Sequence, residues 1–318
     1  MPSETQLAII TPSYANDLRR ARDLSESVDM HAPDGVPHYL IVPARDVKSF
    51  ASLANHRRHV LAQEDLLARA RMVHLPLPST LRLPWIGRRA LQSQWYAPGS
   101  GRVSGWLAQQ LVKLASSSIT HAESLLFIDS DIQLIRDLPA SFSRPSDLVP
   151  LRRRPLRTDL PRHKAWAENA RSLLGIKVSP AEPFNYVGPL VVWRRSNLSA
   201  LHAHLESRWN CPWERALLRC RDLSEYMLYG IFCDEILGLA ARHAATDAES
   251  TCCIWTGEGL TNLTKAAIDA LRDEHFAMLV QSKVPLNYAV TRAAFEMVRA
   301  AIRSSKGNES APISRSPS

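Results

Sequence analysis

Three short apolar runs constrain what this chain can fold into. Leu7–Ile10 runs into Thr-Pro-Ser-Tyr, HYLIVP (38–43) stops at Pro43, and Leu125–Ile128 ends at Asp129. Each is a few residues long and bounded by turn-forming residues, which reads as a strand. Between them lie stretches with helical patterning. One carries Leu18, Leu24 and Val28 and starts at Asn16 or Asp17, either of which can cap it; the others are Asp46–Asn55 and Val103–Ser116. Alternation of this kind predicts a mostly parallel sheet flanked by helices, a Rossmann-type α/β architecture. Beyond residue 145 the pattern loosens. Residues 186–193 and Ala277–Val280 read as strands, and residues 196–208, 213–219, 223–241 and 287–303 as helices. With no repeat and no linker, residues 1–303 form a single domain and the polar stretch 304–318 a disordered tail.

With 45% hydrophobic residues in 318, the chain can bury a sizeable core, and its net charge of +8 suits anionic partners without choosing one. Five cysteines, an odd number with no CxxC pair, predict free thiols in a reducing cytoplasm rather than a disulfide framework or a zinc site. The N-terminus has no secretory pattern and no apolar run approaches ~18 residues. These features predict a cytoplasmic protein, with peripheral contact at the inner membrane a further expectation of the basic charge.

The third run, LLFIDSD (125–131), carries the chemistry. If the strand continues through it, Asp129 and Asp131 share one face, because side chains alternate with a period of two. Adjacent carboxylates repel unless a cation lies near them. At the carboxyl end of a parallel strand, where open α/β sheets bind ligands, a hard ion with carboxylate, phosphate and water ligands fits. Mn²⁺ and Mg²⁺ both qualify. Haloacid-dehalogenase-like phosphatases also use an aspartate strand, but Gln133 stands where they have Thr or Val, and at least two strands come first.

The helix before that strand has two distinct faces. At ~100° per residue, Trp106, Gln109, Gln110 and Lys113 fall within about 60° of one direction, while Leu107, Leu111 and Leu114 form a separate core stripe. Lys113 can meet a diphosphate, and a glutamine can read a base or a sugar hydroxyl. The alternative for this stripe is a solvated polar face.

In order and spacing these segments resemble the GT-A glycosyltransferases. ITPSYANDL (10–18) looks like their first strand and turn, which contact the nucleotide. SGWLAQQLVKL (104–114) resembles a GW-x-x-QQ-x-x-K-L helix, and LSEYMLYGIF (223–232) an S-E-Y-x-x-Y-G helix, of bacterial glycosyltransferase-like families. The resemblance covers roughly residues 7–232. It implies a GT-A-like fold and transfer of a sugar from a nucleotide-sugar donor to an unknown acceptor, such as a cell-surface glycan or lipid-linked precursor. It implies Asp129 and Asp131 as metal ligands, and a donor site of Thr11, Tyr14, Trp106, Gln109, Gln110, Lys113 and Asp129, with Gly188 of FNYVGP giving close backbone approach. Glu225 is the implied general base, with Asp234 and Glu235 as rivals. A third metal ligand, often a late histidine in these enzymes, is not evident: His243, His275 and Gln281 are the available side chains.

Residues 151–164 read as a loop with seven basic groups against Asp159 alone. It suits an anionic acceptor or a membrane surface rather than nucleic acid, since no aromatics interleave with the charges. Two other function classes remain. A nucleotidyltransferase would carry a Gly-rich phosphate loop, which TPSYANDL lacks. A non-catalytic basic binding protein would lack metal-dependent nucleotide binding.

Overall fold

A computed structural model describes residues 6–75, 80–83, 87–90, 94–142, 148–177, 182–254, 265, 267–280 and 287–309. Gln281 and the stretch 310–318 lie outside them. The contacts sort into two compact units: Met1–Arg19, Asp34–Asp129 and Pro139–Ala248 in the first, and Arg20–Pro33, Ser130–Leu138 and Glu249–Ser318 in the second.

The first unit is built on a five-stranded sheet in the order Leu190–Arg194, Ser124–Ile128, Leu7–Pro12, His38–Val42, Arg58–Ala62. All pairings are parallel except that of Leu190–Arg194 with Ser124–Ile128. The three apolar runs of the sequence are thus neighbouring central strands. All six residues of Leu7–Pro12 and all five of Ser124–Ile128 are buried, as expected of strands covered on both faces. The edge strand Arg58–Ala62 runs directly into a short helix, Gln63–Leu66.

Strand order reverses at the first strand. The chain proceeds outward through His38–Val42 and Arg58–Ala62, then returns to the other side of Leu7–Pro12 with Ser124–Ile128. Ile10 lies beside Phe127 in this parallel pair, so the two strands end within one residue of each other. The crevice at the carboxyl ends of two strands at such a reversal is the ligand-binding position of open α/β sheets.

A polar chain ties the three parallel strands on the other side. Arg58 Nε donates to His38 Nδ1 at 3.2 Å, so the His38 Nε2–H faces Thr11 Oγ1 at 3.0 Å. Burial and the adjacent guanidinium groups of Arg58 and Arg57 hold the His38 pKa well below the usual histidine value.

The helices of this unit contribute to one apolar core. Leu107, Leu111 and Leu114 of the Gly105–Ala115 helix pack with Trp193, Leu198, Leu201, Leu228 and Tyr229. That helix starts later than Val103. Gly101–Ser104 is a strand, and Ser104 caps the helix by accepting from Leu107 N at 3.1 Å. The expected helix 223–241 is also divided: an α-helical part, Glu225–Ile231, gives way to a π-turn segment, Phe232–Leu237, and a 3₁₀ turn, Gly238–Ala241. At Gly230 there is no room for a Cβ, which would overlap the Tyr186 ring.

The second unit has its own sheet, with Ala277–Val280 between antiparallel Ile132–Leu134 and parallel Thr251–Ile254. Its core comprises Ile135, Cys252, Ile254, Met278 and Val280 with Ala294, Phe295, Val298 and Ile302 from the Tyr288–Glu309 helix. Arg299 donates to Gln133 Oε1 at 2.8 Å, and Tyr288 Oη to Asp23 Oδ2 at 2.7 Å.

Candidate active site

At the carboxyl end of Ser124–Ile128 the strand stops one residue short of the aspartates. Asp129 is in irregular backbone, and Ser130 and Asp131 form a turn before Ile132. The two carboxylates therefore do not share a strand face. Asp129 ends one segment of the first unit, Asp34–Asp129, and Asp131 lies in the next segment, Ser130–Leu138, which belongs to the second.

Asp129 meets Lys113, whose Nζ lies 3.0 Å from Asp129 Oδ1 and 3.3 Å from Glu225 Oε1. The same ammonium donates to Tyr226 Oη at 2.6 Å. Three elements converge here: the Gly105–Ala115 helix brings Lys113, the central strand presents Asp129, and the start of the Glu225–Ile231 helix supplies Glu225 and Tyr226. Ser224 fixes that helix start by accepting from Met227 N. Trp193, stacked on Tyr229 with ring centroids 4.5 Å apart, also meets Tyr226 edge-on.

One ammonium thus serves two carboxylates in different surroundings. The Asp129 side chain is 45% exposed, whereas those of Lys113 and Glu225 are 6% and 5% exposed. Burial opposes the Lys113 charge, but Asp129, Tyr226 and Glu225 outweigh it and raise its pKa well above the usual lysine value. Burial pushes the Glu225 carboxyl up, with Lys113 only partly countering it. Burial likewise raises the Tyr226 phenol, with the Asp129 charge adding to it.

A hard cation fits Asp129, whose carboxylate is held on one oxygen and is otherwise half open. Among the described residues, no group of three His, Cys, Asp or Glu side chains is placed to hold a metal. An ion bound here would complete its shell from phosphate and water, as Mg²⁺ commonly does. His243 lies in the core of the first unit: Nε2 is 2.8 Å from Tyr229 Oη, Nδ1 is 2.9 Å from Val149 O, and burial lowers its pKa to about 4. His275, in the second unit, pairs with the Arg272 backbone N–H.

The Trp/Gln/Lys stripe is not a solvated face. Only Trp106, at 38%, is clearly exposed; Gln110 and Lys113 are buried. Trp106 stacks on Trp166 with centroids 5.7 Å apart, and Trp166 on His163 at 4.9 Å. Arg162 lies 5.0 Å from the centroids of both indoles. Asp222 accepts from Trp166 Nε1 at 2.8 Å. Gln110 is 2% exposed, and among the described residues neither of its amide atoms has a hydrogen-bond partner.

The other expected donor residues are differently placed. Thr11 is fully buried, with its hydroxyl on His38. Tyr14 is 40% exposed just past the first strand, beside the buried Ser13. Gln109 is half-buried on the Gly105–Ala115 helix. Gly188 is buried against Arg152, whose Cδ would lie 2.6 Å from a Cβ there. Of the rivals to Glu225, Asp234 accepts from Tyr186 Oη at 2.5 Å and Glu235 from Arg171 Nη2 at 2.6 Å, so both belong to structural pairs.

The basic stretch 151–164 is not one loop. It comprises the ends of strands Val149–Arg152 and Arg154–Pro155 and the start of the Pro161–Leu174 helix. Most of its arginines have partners. Arg152 donates to Val187 O, Arg153 faces Asp234 and the Phe184 ring, Arg154 donates to Asp247 O, and Arg157 pairs with Asp159.

Sequence reasoning missed Tyr226 and Trp166. Tyr226 is the third residue of the S-E-Y segment, where the carboxylate drew attention. Trp166 carries no local signal, since it reaches Trp106 from 60 residues away in sequence.

The central, mostly parallel sheet with its flanking helices is a GT-A-like α/β fold. The bifunctional glycosyltransferase WbbM shares this fold, with a TM-score of 0.53 and 12% identity over 96% of this chain. The present chain spans about half of that one, 52%. Mouse xyloside xylosyltransferase 1 aligns with TM-score 0.44 and 11% identity over 88% of this chain and 99% of that one. LgtC aligns with 0.45 and 10% over 92% and 95%. No curated protein matches the chain. Residues 5–300 match a family of unknown function, DUF6492, and the chain belongs to that family. No helix among the described residues is long and apolar enough to cross a membrane.

Proposed function

We propose that this chain is a metal-dependent glycosyltransferase, moving a sugar from a nucleotide-sugar donor to an acceptor. One observation carries the reading: a buried lysine with two carboxylates and a phenol at the carboxyl end of the strand where sheet order reverses. Asp129 and Asp131 would hold Mn²⁺ or Mg²⁺. A cation there supplies charge to the leaving diphosphate, typically worth several kcal/mol of transition-state stabilisation. Lys113 lies next to Asp129 and supplies a second positive charge to the phosphates. Tyr14 offers a ring to the base, Thr11 fixes the strand end through His38, and Gln109 lies half-buried on the helix that carries Lys113, whereas the space beside Gly188 is taken by Arg152.

Glu225 is the proposed base for the acceptor hydroxyl. Its raised pKa brings a carboxylate closer to the working range of a base near neutral pH. When Lys113 turns toward phosphate, the pairing that holds Glu225 loosens and its carboxylate is freed to accept a proton.

The test is calorimetry and donor hydrolysis with nucleotide diphosphates and nucleotide sugars, with and without Mn²⁺, on wild type and Asp131→Asn. We expect Mn²⁺-dependent binding and hydrolysis in wild type and loss of hydrolysis in the variant, with the melting temperature in chelator unchanged or slightly higher. Full hydrolysis by Asp131→Asn would falsify the metal role of this residue. Absence of any nucleotide binding in wild type would return the chain to the class of basic binding proteins.

A further inference from the structure

The Gly105–Ala115 helix places three side chains on one face in order: Trp106, then Gln110 one turn on, then Lys113 one turn further. Seven residues of helix span about 10.5 Å. Lys113 is already committed to the carboxylates and, on the reading above, to phosphate. Of the other two, Trp106 meets Trp166 and Arg162 but keeps part of its ring exposed, and Gln110 has no hydrogen-bond partner among the described residues.

Gln110 constrains what sits beside it. A buried amide without partners is costly, and this one leaves both an acceptor oxygen and a donor NH₂ group unanswered among the described residues. A phosphate can only accept hydrogen bonds, so it satisfies half of that amide. A hydroxyl both donates and accepts and can satisfy all of it. The group next to Lys113 along this face is therefore expected to be rich in hydroxyls. One turn further, Trp106 offers an exposed indole held in place by Trp166, which Asp222 and His163 position in turn. An indole whose stacking partner is itself anchored loses little entropy when a flat, partly apolar ring covers it. The C–H face of a pyranose is such a ring, with its hydroxyls at the rim.

We infer that this helix face is a carbohydrate subsite, in which Gln110 reads hydroxyls next to the diphosphate and Trp106 is the platform for an acceptor sugar. The inference rests on the sugar-transfer reading and names its acceptor class. Two turns of helix are too long for the donor sugar alone, so the ring on Trp106 belongs to the acceptor. The acceptor is thus a saccharide rather than a lipid or a peptide at the point of contact.

The experiment measures saccharide and nucleotide binding separately on the full chain. The saccharide probes are methyl pyranosides of glucose, galactose and mannose with their common disaccharides, followed by saturation-transfer NMR and tryptophan fluorescence. The nucleotide probes are UDP and GDP with Mn²⁺, and the membrane probe is vesicles of phosphatidylglycerol. We expect at least one saccharide to bind, Trp106→Ala to weaken it about tenfold, equivalent to ~1.4 kcal/mol, and Trp106→Phe to restore most of it. Gln110→Ala should flatten discrimination between epimers. Trp106 is exposed, so its variants should fold, and Trp106→Phe separates loss of stacking from any disturbance of the helix. The inference is overturned if no saccharide binds, or if Trp106→Ala leaves saccharide binding unchanged. It is equally overturned if Trp106→Ala removes nucleotide or vesicle binding while saccharide binding persists. Saccharide binding in a protein that binds no nucleotide would support the platform and remove the transferase reading, so the two fail separately.

Discussion

Lys113 and Glu225 are the residues whose chemistry can be separated most sharply by substitution. The Glu225 pKa is raised in the folded chain, so the folded state holds that proton at a pH where the unfolded state has lost it. The associated stability is fully present below the unfolded value of about 4.3 and is lost as pH rises through the folded value. Glu225→Gln, which mimics the protonated form, should match wild type near pH 4 and exceed it in melting temperature at pH 7–8. A variant that instead falls behind as pH rises would mean that the bond to Lys113 outweighs burial. Lys113→Met should cost about 3 kcal/mol in urea unfolding, because it leaves Glu225 buried without its counter-ion. Combining it with Glu225→Gln should recover much of that loss. The sequence alone put Lys113 on a separable polar stripe. Its burial shows why that geometry was insufficient: periodicity gives direction around a helix, not what covers that direction.

Histidines define a second pH effect. Burial lowers His202 and His243 to about 4, and His38 is lowered as well. A histidine with a lowered folded pKa contributes stability above its unfolded value, and that stability is lost as pH falls. Urea unfolding should therefore show a loss beginning near pH 6.5 and continuing toward pH 4, with His202→Gln reducing its slope. A flat profile over that range would mean these rings are protonated without cost.

At the level of elements, Gly230 fixes how the Glu225–Ile231 helix approaches Tyr186. Gly230→Ala should destabilise the protein by about 1–3 kcal/mol or more, because the obstacle is an aromatic ring rather than a mobile chain end. The melting temperature reads this directly; an unchanged value would mean that Tyr186 can move aside without cost. Ser104→Ala should cost about 1 kcal/mol and Ser104→Asp much less, as expected for a helix cap. The central strands were legible because they are apolar and end in turn residues. The start of the Gly105–Ala115 helix was legible only to within a residue or two, since Val103 fits the apolar stripe of a helix while its backbone belongs to a strand. Residues 151–164 read as one loop because their arginine density and prolines hide the two strands and the helix start. Their partners, Val187, Asp234 and Asp247, are distant in sequence, and no local pattern announces them. The strand LLFID marks the place of the candidate site, whereas Tyr226 and the Trp106–Trp166 stack depended on tertiary neighbours.

For the whole molecule, the C-terminal helix is the element on which the second unit depends. Truncation after residue 303 keeps the described core side chains of Tyr288–Glu309, whereas truncation after 287 removes Ala294, Phe295, Val298 and Ile302 together with the Arg299 and Tyr288 contacts. The first variant should keep hydrogen-exchange protection over residues 132–135, and the second should lose it and bind a hydrophobic dye. Equal protection in both would show that the sheet around Ala277–Val280 is stable without its helix.

The division of the chain also bears on how it is made. The polypeptide crosses between the two units five times, and the second unit gathers residues 20–33 and 130–138 with everything after 248. Domains tend to fold as units during synthesis, from the N-terminal end. A ribosome that has translated to residue 248 has supplied the whole first unit but only two short stretches of the second. Ile132, Leu134 and Ile135 then wait with their apolar side chains unmatched until Ala277–Val280 and the last helix emerge. Asp129 and Asp131, two residues apart, are therefore completed at different times. The first is placed once Glu225 and Tyr226 are available, while the second depends on the final quarter of the chain. A premature stop or a stalled ribosome in that quarter would yield a protein with its lysine cluster formed and half of its aspartate pair without a scaffold.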